Sequence, residues 1–133
     1  MKTIAPRLLE IPGCGIVSAA TLVGEAANVD RFKDEAAFAR FGGVAPIPKW
    51  TGDRDERMIM SRRGNRRVRQ ALYRIATTQV RMKASPGAAY YRKRRDAGDP
   101  PAKAMRCLKR RIARVVFHRL RSDYRKRVAG VNT

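Results

Sequence analysis

Val68, Ala71, Leu72, Ile75, Ala76 and Val80 recur at the spacing of one helix face, directly after Gly64-Asn65. Apolar residues three and four apart predict a helix with one buried stripe. Ala104/Met105, Leu108, Ile112, Val115/Val116 and Leu120 repeat that period in a long final helix, which Gly98-Asp99-Pro100-Pro101 separates from what precedes it. Between the two, Ser85-Pro86 opens a helix reaching about Ala97, with Ser85 as N-cap and proline at the first helical position. Nearer the start, Pro6–Glu10 reads as a short helical segment and Ile16–Ala27 as an alanine-rich helix. Asp30-Arg31-Phe32 reads as a connection. Asp34 then caps Glu35–Phe41, and Gly42-Gly43 ends it.

One stretch breaks the helical period. Residues 44–61 hold Pro46, Pro48 and the turn-like Thr51-Gly52-Asp53, which no regular helix accommodates. Lys49-Trp50-Thr51 and Arg57-Met58-Ile59-Met60 pair on paper as a short β-hairpin. The expected fold is therefore mainly α. A helix-hairpin-helix over about residues 6–27 precedes a short irregular or β-hairpin segment over 44–61. A basic helical bundle over about 65–122 follows. All of it belongs to a single domain over residues 1–125, with 126–133 a frayed tail. At 133 residues and 44% hydrophobic composition the chain suffices for one domain with a modest core. No apolar run approaches the roughly 18 residues of a membrane span, and no signal-peptide pattern opens the chain.

Charge changes the picture. Lys and Arg total 31 against 11 Asp and Glu, a formal net charge of +20. Residues 1–56 are nearly balanced, so the excess falls on residues 57–133, where arginine dominates. A folded body bears such self-repulsion best when a polyanion neutralises it. Arginine also holds a phosphate with two parallel hydrogen bonds. Nucleic acid is the expected partner. An acidic membrane surface fits less well, because the charged helices also carry apolar stripes suited to a protein core.

Ile11-Pro12-Gly13-Cys14-Gly15, running into Ile16-Val17-Ser18-Ala19-Ala20-Thr21-Leu22, supplies a candidate grip. Two glycines make a tight turn onto a helix whose first backbone N–H groups have no intrahelical partner. Such donors, with the positive end of the helix dipole, favour a phosphate oxygen. The alternative is an ordinary helix–turn–helix in which Gly13 and Gly15 only make the corner. A dinucleotide fingerprint fits worse, since Ser18 stands at the third glycine position and Pro12 breaks the strand it needs. Cys14, Cys107 and His118 lack the spacing of a zinc set and match a reduced, cytoplasmic protein. His118 sits in a helical pattern that favours packing or phosphate contact over catalysis. Tyr90-Tyr91 suits either core packing or base stacking.

Taken in order, these segments resemble one family. They are Leu9–Gly15, Arg31-Phe32, Phe38–Pro46, Trp50-Thr51-Gly52, Ser61–Arg67 and Arg69-Gln70-Ala71-Leu72-Tyr73. They are similar to the C-terminal transposase domain of bacterial insertion-sequence transposases of the 110/116/902 group, over roughly residues 8–122. The resemblance implies DNA transposition guided by a structured RNA. It further implies a RuvC-like nuclease domain, with magnesium in the complete enzyme, and no cofactor bound by this chain alone. Nothing RuvC-like stands ahead of these motifs here, so the chain resembles a truncated or separately expressed C-terminal portion. Its RuvC-like partner would then act in trans or be lost, and a homo-oligomer is compatible with the same reading.

In that family a serine followed by glycine supplies a nucleophile; the matching position here is Thr51, followed by Gly52. A threonine hydroxyl attacks a phosphodiester in the same way, though its methyl group adds bulk and restricts χ1. Asp53, Asp55 and Glu56 stand beside it, either as a cation-holding turn or as a solvated loop. Arg62, Arg63, Arg66, Arg67, Arg69, Arg106, Arg110 and Arg114, with Gly13 and Gly15, are the expected nucleic-acid contacts. The competing function is a non-enzymatic basic DNA- or RNA-binding module, similar to small ribosomal proteins with a helix-hairpin-helix and arginine-rich helices.

Overall fold

The computed structural model describes residues 1–45 and 64–131, and these residues form helices joined by turns. The helices are α1 (Pro6–Leu9), α2 (Ile16–Ala26), α3 (Glu35–Phe41), α4 (Arg66–Arg81), α5 (Pro86–Asp96) and α6 (Pro101–Val131). A 3-10 turn at Val29–Arg31 occupies the stretch expected as a plain connection, with the Asn28 side chain accepting from Asp30 N. Among the described residues no strand occurs. The hairpin expected from Lys49–Thr51 and Arg57–Met60 lies outside them.

Local chemistry sets most helix starts. The Asp34 side chain accepts from Ala37 N, Asn65 from Val68 N and Ser85 from Ala88 N. Each satisfies a donor that the first helical turn leaves open. Ser85 also donates its hydroxyl to Gln79 O at 2.6 Å, tying the start of α5 to the last turns of α4.

The apolar stripes then close one core. Val68, Ala71, Leu72, Ile75 and Ala76 of α4 are buried together with Leu108, Ile112, Val116, Phe117 and Leu120 of α6. Leu22 and Ala19 of α2 and Leu8 of α1 join the same cluster. Phe38 on α3 meets Phe117 on α6 with ring centroids 5.8 Å apart, and Phe32 stands edge-on to Phe38 at 5.4 Å. Tyr91 and Tyr90 pack partly buried against this core. The Arg111 guanidinium lies 4.7 Å above the Tyr90 ring.

Helix α6 reaches further than the frayed end expected after Arg125, running helical to Val131. Contacts with the opposite end of the chain explain this. Arg125 Nη2 pairs with Asp30 Oδ1 at 3.2 Å, and Arg127 donates to Ile4 O. Just before them is Asp123, only 2% exposed, whose two oxygens accept from Arg7 N at 3.3 Å and Leu8 N at 3.2 Å. A carboxylate from α6 thus caps α1 across 115 positions of sequence. Asp123→Ala should cost about 1–3 kcal/mol, the penalty for leaving buried donors without a partner. Urea unfolding checks this, and an unchanged midpoint would remove Asp123 as the clamp.

Candidate nucleic-acid interface

The charges that the sequence segregates are paired across the fold. Glu10 takes Arg119 at 2.7 Å, Glu25 takes Arg67 at 3.3 Å, and Glu35 takes Arg114 at 3.3 Å and His118 at 2.8 Å. Glu10, Glu25 and Glu35 thereby engage arginines of the basic half. Among the described residues no ion pair reaches Arg66, Arg74, Arg106, Lys109 or Arg110. Arg66 and Arg74 of α4 and Arg106, Lys109 and Arg110 of α6 are thus among the cations that no carboxylate of the described residues neutralises.

Helix α4 presents that charge on two flanks of its buried stripe. Arg67, Gln70 and Arg74, spaced i, i+3, i+7, face α2. There they line a groove of about 260 Å³ with Ser18, Thr21 and Ala71. On the other flank stand Arg66, Arg69 and Tyr73 at the same spacing. Tyr73 is 52% exposed, and Lys109 Nζ of α6 lies 5.7 Å from its ring centroid. Arg106 stands one turn before Lys109, on a turn that also precedes Arg110.

The start of α4 is pinned to the end of α3. A Cβ on Gly64 would lie 2.5 Å from Gly43 Cα, so only glycine fits there. Asn65 N also donates to Phe41 O. Gly43 itself has φ +69° and lies against Arg69, whose Cδ is 3.3 Å from the position of a Gly43 Cβ. Residues on either side of segment 46–63 therefore meet at one point, beside the arginines that open α4. Thr51, Arg62 and Arg63 lie outside the described residues, as do Asp53, Asp55 and Glu56.

Gly13 and Gly15 play different parts. Gly13 has φ +84° and packs against α4, where an added Cβ would come within 3.1 Å of Ile75 O and Thr78 Cβ. Next to it Gln79, buried, donates Nε2 to Pro12 O at 2.7 Å and fixes the turn to α4. Gly13 is a packing corner. Gly15 is the N-cap of α2 in an extended conformation, with no side-chain cap and open space where a Cβ would stand. Ile16 and Val17, 65% and 68% exposed, follow it at the surface.

Arg66 and Arg67 are exposed on α4, and Arg106 and Arg110 are exposed on α6. Arg69 is half-buried beside Gly43. Arg114 is turned to Glu35 on α3 and shares that carboxylate with His118. Periodicity did not mark Ser18, Thr21, Gln70, Tyr73 or Lys109, since none breaks the pattern of its own helix. Burial pushes the Cys14 thiol up to about 11, so it is an inert core residue. Arg94 Nη2 donates to Cys107 Sγ at 3.3 Å. Among the described residues no group of three His, Cys, Asp or Glu side chains is placed to hold a metal ion. Nor is any helix among them long and apolar enough to cross a membrane.

Fold and surface define a helical, arginine-rich protein. The family described as Transposase IS116/IS110/IS902 matches residues 5–92, and the chain belongs to it. An uncharacterized 44.8 kDa protein of insertion element IS116 from Streptomyces clavuligerus is 33% identical over 84% of this chain and 28% of its own length. The 43.6 kDa protein of insertion element IS110 from Streptomyces coelicolor is 31% identical, over 96% of this chain and 32% of its own. A 42 kDa protein of insertion element IS900 from Mycobacterium paratuberculosis is 29% identical over 88% of this chain and 29% of its own. The chain thus spans about a third or less of the curated relatives it matches. No solved structure matches it significantly.

The two glycines give opposite expectations. Gly13→Val should lower the unfolding midpoint, because its left-handed backbone and its contact with α4 both oppose a side chain. Gly15→Val should leave the circular dichroism spectrum and midpoint intact while weakening nucleic-acid binding through lost approach to the start of α2. Binding unchanged in folded Gly15→Val protein would make the whole turn structural.

Proposed function

We propose that this chain is the backbone-gripping, strand-attacking part of an insertion-sequence transposase, binding DNA together with a structured guide RNA. The observation that supports the reading is the set of exposed arginines Arg66, Arg74, Arg106 and Arg110 on α4 and α6, which no carboxylate of the described residues pairs. The α2–α4 groove holds Arg74 beside Ser18 and Thr21 as donors for a phosphate, and Arg67, on exchanging its exposed pair with Glu25, adds a second. Gly15, with the open start of α2, offers backbone N–H groups in helix-hairpin-helix fashion.

Thr51 is the proposed nucleophile. Its hydroxyl attacks phosphorus, forming a Thr51–phosphate ester while the phosphodiester's bond to a strand oxygen breaks. The proton lost by Thr51 is balanced by one gained on the released strand hydroxyl. Meeting of the segment's flanks at Gly43–Gly64, beside Arg69, supports arginine assistance to the developing charge. A RuvC-like domain, in trans, supplies the remaining carboxylates, and magnesium belongs to that complete assembly. A homo-oligomer is part of the same proposal.

Two measurements test this. The logarithm of the DNA-binding constant should fall linearly with the logarithm of salt, by about 0.9 per phosphate neutralised. Replacing Arg62, Arg63, Arg66 and Arg67 together with alanine should flatten the slope, and an unchanged slope would remove the cluster from the surface. With a RuvC-like partner, guide RNA and target DNA supplied, Thr51→Ser should form at least as much denaturation-resistant protein–DNA adduct as the parent. Thr51→Ala should bind and form none. Equal adduct from Thr51→Ala and parent would exclude Thr51 and favour the non-enzymatic binding module.

A further inference from the structure

We propose that the α2–α4 groove binds the sugar–phosphate backbone of RNA, Ser18 and Thr21 taking a ribose 2′-hydroxyl and Arg74 the adjoining phosphate. The inference rests on the nucleic-acid-binding reading and names which nucleic acid this groove selects.

Ser18 carries the argument. The residue is only 8% exposed and lines the groove. Among the described residues no hydrogen bond engages its hydroxyl. A buried hydroxyl without a partner is unfavourable. Alanine, which follows it at positions 19 and 20, would fit the same helix without that cost. One turn further along α2 is Thr21, which also lines the groove. Thr21 Oγ1 donates its proton to Val17 O at 3.0 Å, so toward the groove its oxygen only accepts.

That asymmetry selects the ligand. The oxygens of an ionised phosphodiester accept hydrogen bonds and donate none, so a phosphate satisfies Ser18 but not Thr21. A hydroxyl satisfies both, accepting from Ser18 Oγ–H and donating to Thr21 Oγ1. The 2′-hydroxyl is such a group, present in RNA and absent from DNA. A splayed base fits less well, because no aromatic side chain lines the groove to stack on it. On the facing wall Arg74 of α4 is exposed and makes no ion pair among the described residues. Its guanidinium supplies the cation for the phosphate beside that sugar. Gly15, the N-cap of α2, stands one turn before Ser18, so a neighbouring phosphate of the same strand meets the open start of that helix.

The full chain would be titrated by fluorescence anisotropy with one hairpin sequence made as RNA, as 2′-fluoro RNA and as DNA. The 2′-fluoro hairpin keeps the shape and charge of RNA but has no hydroxyl proton. The parent should bind RNA about three- to tenfold more tightly than 2′-fluoro RNA, the worth of a hydrogen bond. Ser18→Ala and Thr21→Val should each lose that advantage while holding 2′-fluoro RNA as the parent does. Thr21→Ser, which keeps the hydroxyl, should retain it, and Arg74→Gln should weaken RNA and 2′-fluoro RNA alike. A merely structural Ser18 would lower the unfolding midpoint in Ser18→Ala without altering the ratio of the two affinities, and would count against the proposal. Thr21→Val, at a partly exposed position, remains informative if Ser18→Ala is unstable. Equal parental affinity for RNA and 2′-fluoro RNA, or an advantage untouched in both variants, would overturn the proposal and leave the wider binding reading intact. Equal losses on DNA and RNA in Ser18→Ala would overturn it in favour of DNA as the occupant. A parent that binds none of the hairpins would instead overturn the wider reading.

Discussion

Like-charge repulsion within residues 57–133 is the constraint on which the rest of the structure depends. Twenty-one net positive charges on 77 residues cannot pack as a helical bundle unless carboxylates reach them or the arginines point away. The fold uses both means. Helix α6 lies back across the N-terminal half, where Glu10, Asp30 and Glu35 each take one of its arginines. Exposed pairs of this kind contribute only about 0–1 kcal/mol each. Their value lies in setting which arginines are occupied and which are not. Asp123 is the exception in energy, since it is buried and serves two backbone donors of α1.

From this pairing follows the placement of function. Arginines of α6 that meet the N-terminal carboxylates are spent on holding the fold. Arg66 and Arg74 of α4 and Arg106 and Arg110 of α6 make no ion pair among the described residues. Gly13 and Gln79 lock the α1–α2 turn onto α4, so the open start of α2 keeps a fixed relation to the Arg67–Arg74 face. Packing and the proposed binding surface are thus two faces of one helix. The buried stripe of α4 holds the core, and the arginines beside that stripe face outward.

Much of this was legible in the sequence, for reasons of range. The caps at Asp34 and Ser85 act within three residues, and the apolar stripes of α4 and α6 within one or two turns, so sequence spacing carries them. The proline-glycine stop at 98–101 is equally local. What spacing cannot carry is contact between distant positions. Asp123 looks like one more polar residue on a basic helix until α1 is brought against it. Lys109 is one cation among many until the Tyr73 ring arrives from another helix. The two glycines of the α1–α2 turn look equivalent in sequence, yet only Gly13 meets α4. Helix α6 continues past Arg125 for the same reason, because its last turns bond to residues near the chain's start. The expectation placed on Thr51 came from family resemblance, which neither range supplies.

The central claim is that pairing within the fold sorts the arginines into occupied and available sets. Arginine-selective chemical footprinting by mass spectrometry, with and without duplex DNA, tests it most directly. The account predicts that Arg66, Arg74, Arg106 and Arg110 react readily in the free protein and become protected when DNA is added. Arg119 and Arg125 should react slowly in both states, since Glu10 and Asp30 hold them. Protection concentrated on Arg119 and Arg125, or spread evenly over all arginines, would contradict it.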